Sequence, residues 1–254
     1  MKLIRTLGLA AALVAAGAAH AQQQFVTVLT GGTSGVYYPL GVALTKVYGD
    51  NIPGIRATVQ STKASAENLN LLQAGRGEVA FALGDAVSDA WTGNEEAGFR
   101  TKLDKLRGLA GIYENYIQIV ASADSGIRTL ADLRGKRVSV GAPRSGTELN
   151  ARAIFRGAGM SYSDLGKVEY LPFGESVELI KNRQLDATLQ SAGLGVASIR
   201  DLANSVNIVV IPVPAEVVAA IGDAAYQPAV IPANTYQGQS TDIATAAIRN
   251  ILVT

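Results

Sequence analysis

The chain alternates between two hydrophobic rhythms. Apolar residues alternate or run together over 25–30, 56–60, 79–83, 117–121, 137–140, 168–171, 185–189 and 206–211, which predicts strands. Between these runs they recur at helical spacing. Leu40, Ala43, Leu44 and Val47 share one face of a helix predicted over 38–48, with Pro39 tolerated in its first turn. A helix starting at Ala66, capped by Ser65 and stopped by Gly75, buries Leu69 and Leu72. Leu149, Ala153 and Ile154 turn inward from a helix over 147–157, and Val177, Leu179 and Ile180 from one over 176–181. Thr129 caps a short helical turn that buries Leu130 and Leu133 and ends at Gly135. Residues 94–107 break the rhythm and read as a polar excursion with a connector. Strands alternating with helices in this way predict an α/β fold with mostly parallel sheets.

One layout occurs twice. "VTVLTGGTSGVYYPLGVAL" (26–44) and "VSVGAPRSGTELNARAI" (138–154) are each a strand, a turn rich in glycine and hydroxyl residues, and a helix. Their separation is about one lobe, and the chain is long enough for two. They read as equivalent first βα units of two similar lobes. In open α/β sheets ligands bind beyond the carboxyl ends of the strands, where such turns lie. A helix N-terminus there offers free N–H groups and a partial positive charge.

The first 21 residues stand apart. Lys2 and Arg5 precede an apolar stretch, and Ala19-His20-Ala21 is a small-x-small cleavage site, so a secretory signal peptide cut after Ala21 is expected. With Lys2 and Arg5 removed, the formal net charge of +1 becomes −1. No basic run points to nucleic acid, and no later segment is long and apolar enough to span a bilayer. The chain has no cysteine, and its one histidine, His20, leaves with the signal peptide. Ser-His-Asp and Cys-His hydrolysis and imidazole or thiolate metal sites are thereby excluded from the mature chain. No other nucleophile–base pair is visible, so a binding protein without cofactor or metal is expected rather than an enzyme.

The binding candidates follow from the two turns. Thr30, Gly31 and Ser34 belong to the first, and Ser145, Gly146 and Thr147 to the second. Tyr37, Tyr38 and Tyr113 can supply walls and hydroxyls, and Asn68 an amide that both donates and accepts. Arg144 can grip a carboxylate with two parallel hydrogen bonds, or be a solvated surface arginine. Asp85, after the third strand, can dock an α-amino group, or cap a helix. Two helix tips alone are too little, because each contributes about 0.3–1 kcal/mol, up to ~2, while a micromolar complex needs about 8 kcal/mol.

Several stretches in order, "TGGTSGVYYPLGVAL", "SAENLNLLQAGRGEVAFALGD", "SADSGIRTLADLRGKRVSVGAPRSGTE", "VELIKNRQLDATLQSAG" and "IPANTYQGQSTDIATAAIRNILVT", resemble the TAXI group of solute-binding proteins. That group serves tripartite ATP-independent periplasmic (TRAP) transporters. The resemblance implies a two-lobed, type II-like periplasmic-binding-protein fold with the ligand in the cleft between lobes. Lobe I would comprise 22–114 plus 213–254, and lobe II 115–212. It also implies a periplasmic monomer that closes on a glutamate- or 2-oxoglutarate-like carboxylate or amino acid and delivers it to membrane permease subunits. In the group the residue before Ser145 is usually small, so Arg144 is a departure. Relatives continue with further helices beyond the strand ending "ILVT", so exposed apolar faces are expected on the first lobe. The same pattern also fits a receptor for an ATP-driven importer, or an exported sensor or adhesin.

Overall fold

The computed structural model describes residues 23–254, so the predicted signal peptide and its cleavage point lie outside the described residues. Ten strands form one curled, mixed sheet. In chain order they are β1 Gln24–Leu29, β2 Ile55–Gln60, β3 Val79–Leu83, β4 Gly108–Ser122, β5 Arg137–Ser139, β6 Lys167–Glu169, β7 Ala187–Ala192, β8 Ile208–Ile211, β9 Gln227–Ile231 and β10 Ile243–Val253. The helices are α1 Tyr37–Asn51, α2 Ser65–Gln73, α3 Gly84–Thr92, α4 Gly146–Gly157, α5 Phe173–Lys181, α6 Ala197–Ser205 and α7 Ala215–Ile221.

The strand order β2-β1-β3-β10-β4-β7-β5-β6, with β8 beside β4 and β9 beside β10, contains the same arrangement twice. In the first half, β1 pairs in parallel with β2 and β3, and β10 runs antiparallel beside β3. In the second, β5 pairs in parallel with β6 and β7, and β4 runs antiparallel beside β7. The expectation of parallel pairing thus holds around β1 and β5, while the middle of the sheet is antiparallel. Two long strands serve both halves. β4 pairs with β10 from Gly108 to Tyr116, and with β7 from Tyr116 to Ala121. β10 pairs with β9 through Ile243–Ala247 and with β3 through Asn250–Val253.

The core follows the predicted inward positions and adds to them. Leu69 and Leu72 of α2, and Leu149, Ala153 and Ile154 of α4, join one large apolar cluster with the sheet and α7. A second cluster lies under α5 and α6 around Val177, Ile180, Ile199 and Leu202, and a third, around Val28 and Phe81, lies under α1. Each fully buried leucine or isoleucine contributes roughly 1.5–3 kcal/mol of hydrophobic stabilisation. Gly75 ends α2 as expected: it takes φ 67° and its N–H returns to the Leu72 carbonyl at 2.9 Å.

Three local expectations change. Ser65 is the first helical residue of α2 rather than its cap. Its hydroxyl is drawn away to accept the Leu83 N–H of β3 at 3.1 Å. The strand expected over 185–189 lies at Ala187–Ala192, and the one expected over 117–121 begins nine residues earlier, at Gly108. Helices α3, α6 and α7 and strand β9 fill stretches left unassigned in the sequence.

Candidate ligand site

Every parallel strand points its carboxyl end toward one region. There the turns after β1 and β5 line one partly open cavity of about 130 Å³. That is below the usual range for drug-sized ligands, so the cavity suits a small solute. Gly31 to Tyr37, Thr33 apart, come from the first turn and the start of α1, and Ala142 with Ser145–Thr147 from the second. Two further helix starts complete it: Ala64 and Ser65 at α2, Pro172 and Phe173 at α5. Four helix N-termini therefore meet at one cavity, where the sequence suggested two. First-turn N–H groups have no partner within their own helix. Some are taken by side chains. Ser145 Oγ accepts from Glu148 N at 3.1 Å, and Ser34 Oγ accepts from Gly174 N at 3.1 Å.

The walls are apolar and hydroxyl-rich. Tyr37 stacks on Phe81 with ring centroids 5.2 Å apart, and its hydroxyl donates to Asn250 Oδ1. Burial pushes its phenol well above the ordinary range, so it stays protonated. Tyr113 lines the cavity with its hydroxyl buried and without a partner among the described residues. Burial raises its pKa too, so it is a proton donor at neutral pH. Asn115 is buried and donates Nδ2 to Ser191 Oγ at 3.0 Å. Of the lining residues only Lys63 is charged, and none is a carboxylate.

The candidate residues divide. Gly31, Ser34, Tyr37, Tyr113, Ser145, Gly146 and Thr147 line the cavity. Thr30, Tyr38, Asn68, Asp85 and Arg144 do not. Thr30 and Asn68 brace the first turn from behind. Asn68 Nδ2 donates to the Thr30 and Phe81 carbonyls at 2.7 and 2.8 Å, and Thr30 Oγ1 donates to the Gln60 carbonyl at 2.8 Å. Asp85 is sealed deeper between the halves. Its Oδ2 accepts from Asn150 Nδ2 of α4 at 2.6 Å and from the Tyr226 hydroxyl at 2.7 Å. Burial raises its pKa to about 6, against the pull of the Tyr226 hydrogen bond. Arg144 takes φ 59° and turns outward beside Gly98, into a separate surface groove. Sequence reasoning missed Thr62, Lys63, Ser65, Asn115, Pro172, Phe173 and Ser191. Only Ser65, already singled out as a cap, carried a local signal.

Gly146 shows how closely the halves approach. A Cβ there would lie 2.5 Å from Ser65 Oγ and 2.6 Å from Leu83 Cδ1, both in the first half. At Gly31 it would meet Ala64 Cβ at 3.3 Å. Among the described residues no group of acidic or imidazole side chains could hold a metal ion, and no helix is long and apolar enough to cross a membrane.

The sequence profile of one family, described as NMT1-like, matches residues 28–254. The chain belongs to the NMT1-like family. Solved structures agree on the fold at low identity. The alkanesulfonate-binding protein of Xanthomonas axonopodis pv. citri, bound to MOPS, is 17% identical with a TM-score of 0.51, over 74% of this chain and 60% of its own. The binding component of a phosphonate ABC transporter from Pseudomonas aeruginosa is 10% identical with a TM-score of 0.55, over 91% and 68%. OxyR from Corynebacterium glutamicum is 14% identical with a TM-score of 0.55, over 98% and 64%. This family member therefore has the type II-like periplasmic-binding-protein fold, a fold that also appears in a regulator and so does not by itself fix the function.

Proposed function

We propose that the protein is an extracytoplasmic receptor for a small organic anion, which it grips between two lobes and hands to a membrane carrier. One observation carries this reading: four helix N-termini from both halves converge on one cavity that no carboxylate lines. At about 0.3–1 kcal/mol each, up to ~2 when partly buried, four termini supply part of the about 8 kcal/mol that micromolar binding requires, with side chains and lobe closure supplying the rest. The Tyr113 hydroxyl adds a buried donor in want of an acceptor. On the proposed division into lobes, 22–114 plus 213–254 against 115–212, the two turns belong to different lobes and face one cavity.

Ligand class follows from what faces the cavity. The carboxylate expected to receive an α-amino group, Asp85, does not line the cavity, and its Oδ2 is held by Asn150 and Tyr226. An ammonium would enter without a counter-charge, at a desolvation cost. We therefore favour a carboxylate or sulfonate without an amino group, of the 2-oxoglutarate kind, over glutamate. The motif resemblance to the TAXI group supports delivery to a TRAP carrier in the periplasm. The alternative is an ATP-driven importer, the phosphonate-binding neighbour being part of an ABC transporter.

Thermal unfolding with 2-oxoglutarate, succinate, ethanesulfonate and glutamate tests the reading. A ligand at a hundred times its Kd adds about 2.7 kcal/mol of stability. The expected result is a rise in Tm with one or more amine-free anions and little with glutamate. A protein whose melting ignores all four would overturn the receptor assignment, and one that prefers glutamate would overturn the ligand class.

A further inference from the structure

Beside the cavity runs an open groove of about 550 Å³ whose charge is one-sided. Lys63, Arg76, Arg100 and Arg144 line it, and all four are exposed. None makes an ion pair among the described residues. The one acid in the groove, Glu67, has an oxygen turned to the Lys63 backbone N–H at 2.6 Å. The chain as a whole is nearly neutral, with 22 basic and 21 acidic residues, so four unpaired cations on one short path are a local concentration of charge.

The groove also leads somewhere. Lys63 lines both groove and cavity. Arg144 is followed directly in the chain by Ser145, Gly146 and Thr147, which line the cavity. The left-handed backbone at Arg144 is what turns its side chain out along the groove while the next residues turn in.

We propose that this groove is an electrostatic entry lane, which captures an anionic solute from solution and passes it by Lys63 into the cavity. The inference rests on the anion-receptor reading and extends it from what is held to how it arrives. Like-signed charges along a cleft raise association rates by about 10–10³-fold, and salt screens the effect over ~8 Å at physiological ionic strength. The three arginines lie outside the cavity lining, so they act on arrival and leave the escape rate from the cavity unchanged.

The test is stopped-flow association of 2-oxoglutarate and of ethanesulfonate with wild type and with Arg76→Glu/Arg100→Glu, at low and high sodium chloride. Both positions are exposed and outside the cavity lining. The expected result is a roughly tenfold slower association for the variant at low salt, with a flattened salt dependence. The dianion should lose more than the monoanion, and dissociation should stay within about twofold. Equal association rates and salt slopes in the two proteins would overturn the lane. So would a faster dissociation, which would make the arginines part of the grip. Unchanged rates with lost uptake in cells would give the groove to an acidic membrane subunit instead. Wild type that binds neither probe would overturn the lane, and one that also ignores succinate and glutamate would overturn the receptor reading itself.

Discussion

The two glycine-hydroxyl turns look alike in sequence and are wired differently. Ser145 spends its hydroxyl on its own helix, capping α4 at Glu148 N. Ser34 leaves α1 without a side-chain cap and reaches across to Gly174 N, at the start of α5 in the other half. The second turn is thus finished within its own half, and the first is finished only when the halves meet. The glycines divide the other way. Gly146 sits where the halves press together, whereas Gly31 faces Ala64 within its own half. Equivalent motifs meet the opposite half through different residues, the first by its serine and the second by its glycine.

The largest test of that contrast is Gly146→Val against Gly31→Val. A side chain at 146 collides with Ser65 and Leu83 and should hold the halves apart, abolishing measurable affinity, a loss of at least about a thousandfold, or roughly 4 kcal/mol. At 31 the neighbours are the Ala64 methyl at 3.3 Å and the Tyr37 ring at 3.6 Å, and titration calorimetry should show a loss of about tenfold. Circular dichroism should be native-like in both. Equal losses would remove the asymmetry.

The next largest effect concerns the deep contact behind the cavity. Asp85 holds its proton up to about pH 6, against an unfolded carboxylate near ~4. Between those values the folded protein keeps a proton that the unfolded chain has lost. Stability therefore falls as pH rises through this window, by about 2–3 kcal/mol, and levels off above it. Asp89 and Asp223 push the same way, while the Tyr226 hydroxyl and the Ala86 N–H oppose them. Denaturant titrations at pH 4.5 and 7 should show the slope in wild type and lose it in Asp85→Asn. A persistent slope would place the titration elsewhere.

A smaller pair sharpens the wiring directly. Ser145→Ala should cost about 1 kcal/mol of unfolding free energy, the usual value of a lost cap. Ser34→Ala should leave unfolding within about 0.5 kcal/mol but weaken ligand binding by about 2–10-fold, because its hydrogen bond forms between halves. The reverse pattern would mean that Ser34 is the structural residue. Smallest of all, Arg144→Asn, which tolerates the left-handed backbone, should change affinity by at most about threefold, and through the association rate.

The sequence carried the alternation well where one face is buried. β2, half-buried at every second position, and β3, a continuous apolar run, were both placed to within a residue. β7 misled because all six positions are buried, with Thr188, Gln190 and Ser191 among them. Polar residues in a buried strand erase the alternation that marks it. The first half of β4 is exposed and gave no apolar period at all. At the site, each turn was visible because its glycines and hydroxyls are local. The convergence of α2 and α5 on the same cavity was not, since it depends on how the sheet curls. Asp85 looked like a ligand residue because its partners lie 65 and 141 positions away, at Asn150 and Tyr226.

The shared strands have a further consequence for the chain's connectivity. β4 and β10 are backbone to both halves at once, so neither half owns its own boundary. A circular permutant opened at the exposed Gly238 turn keeps every strand intact, whereas one opened near Tyr116 breaks pairing on both sides with a single cut. On the proposed division the first lobe is two separate stretches of chain, and excising the second, 115–212, would sever β4.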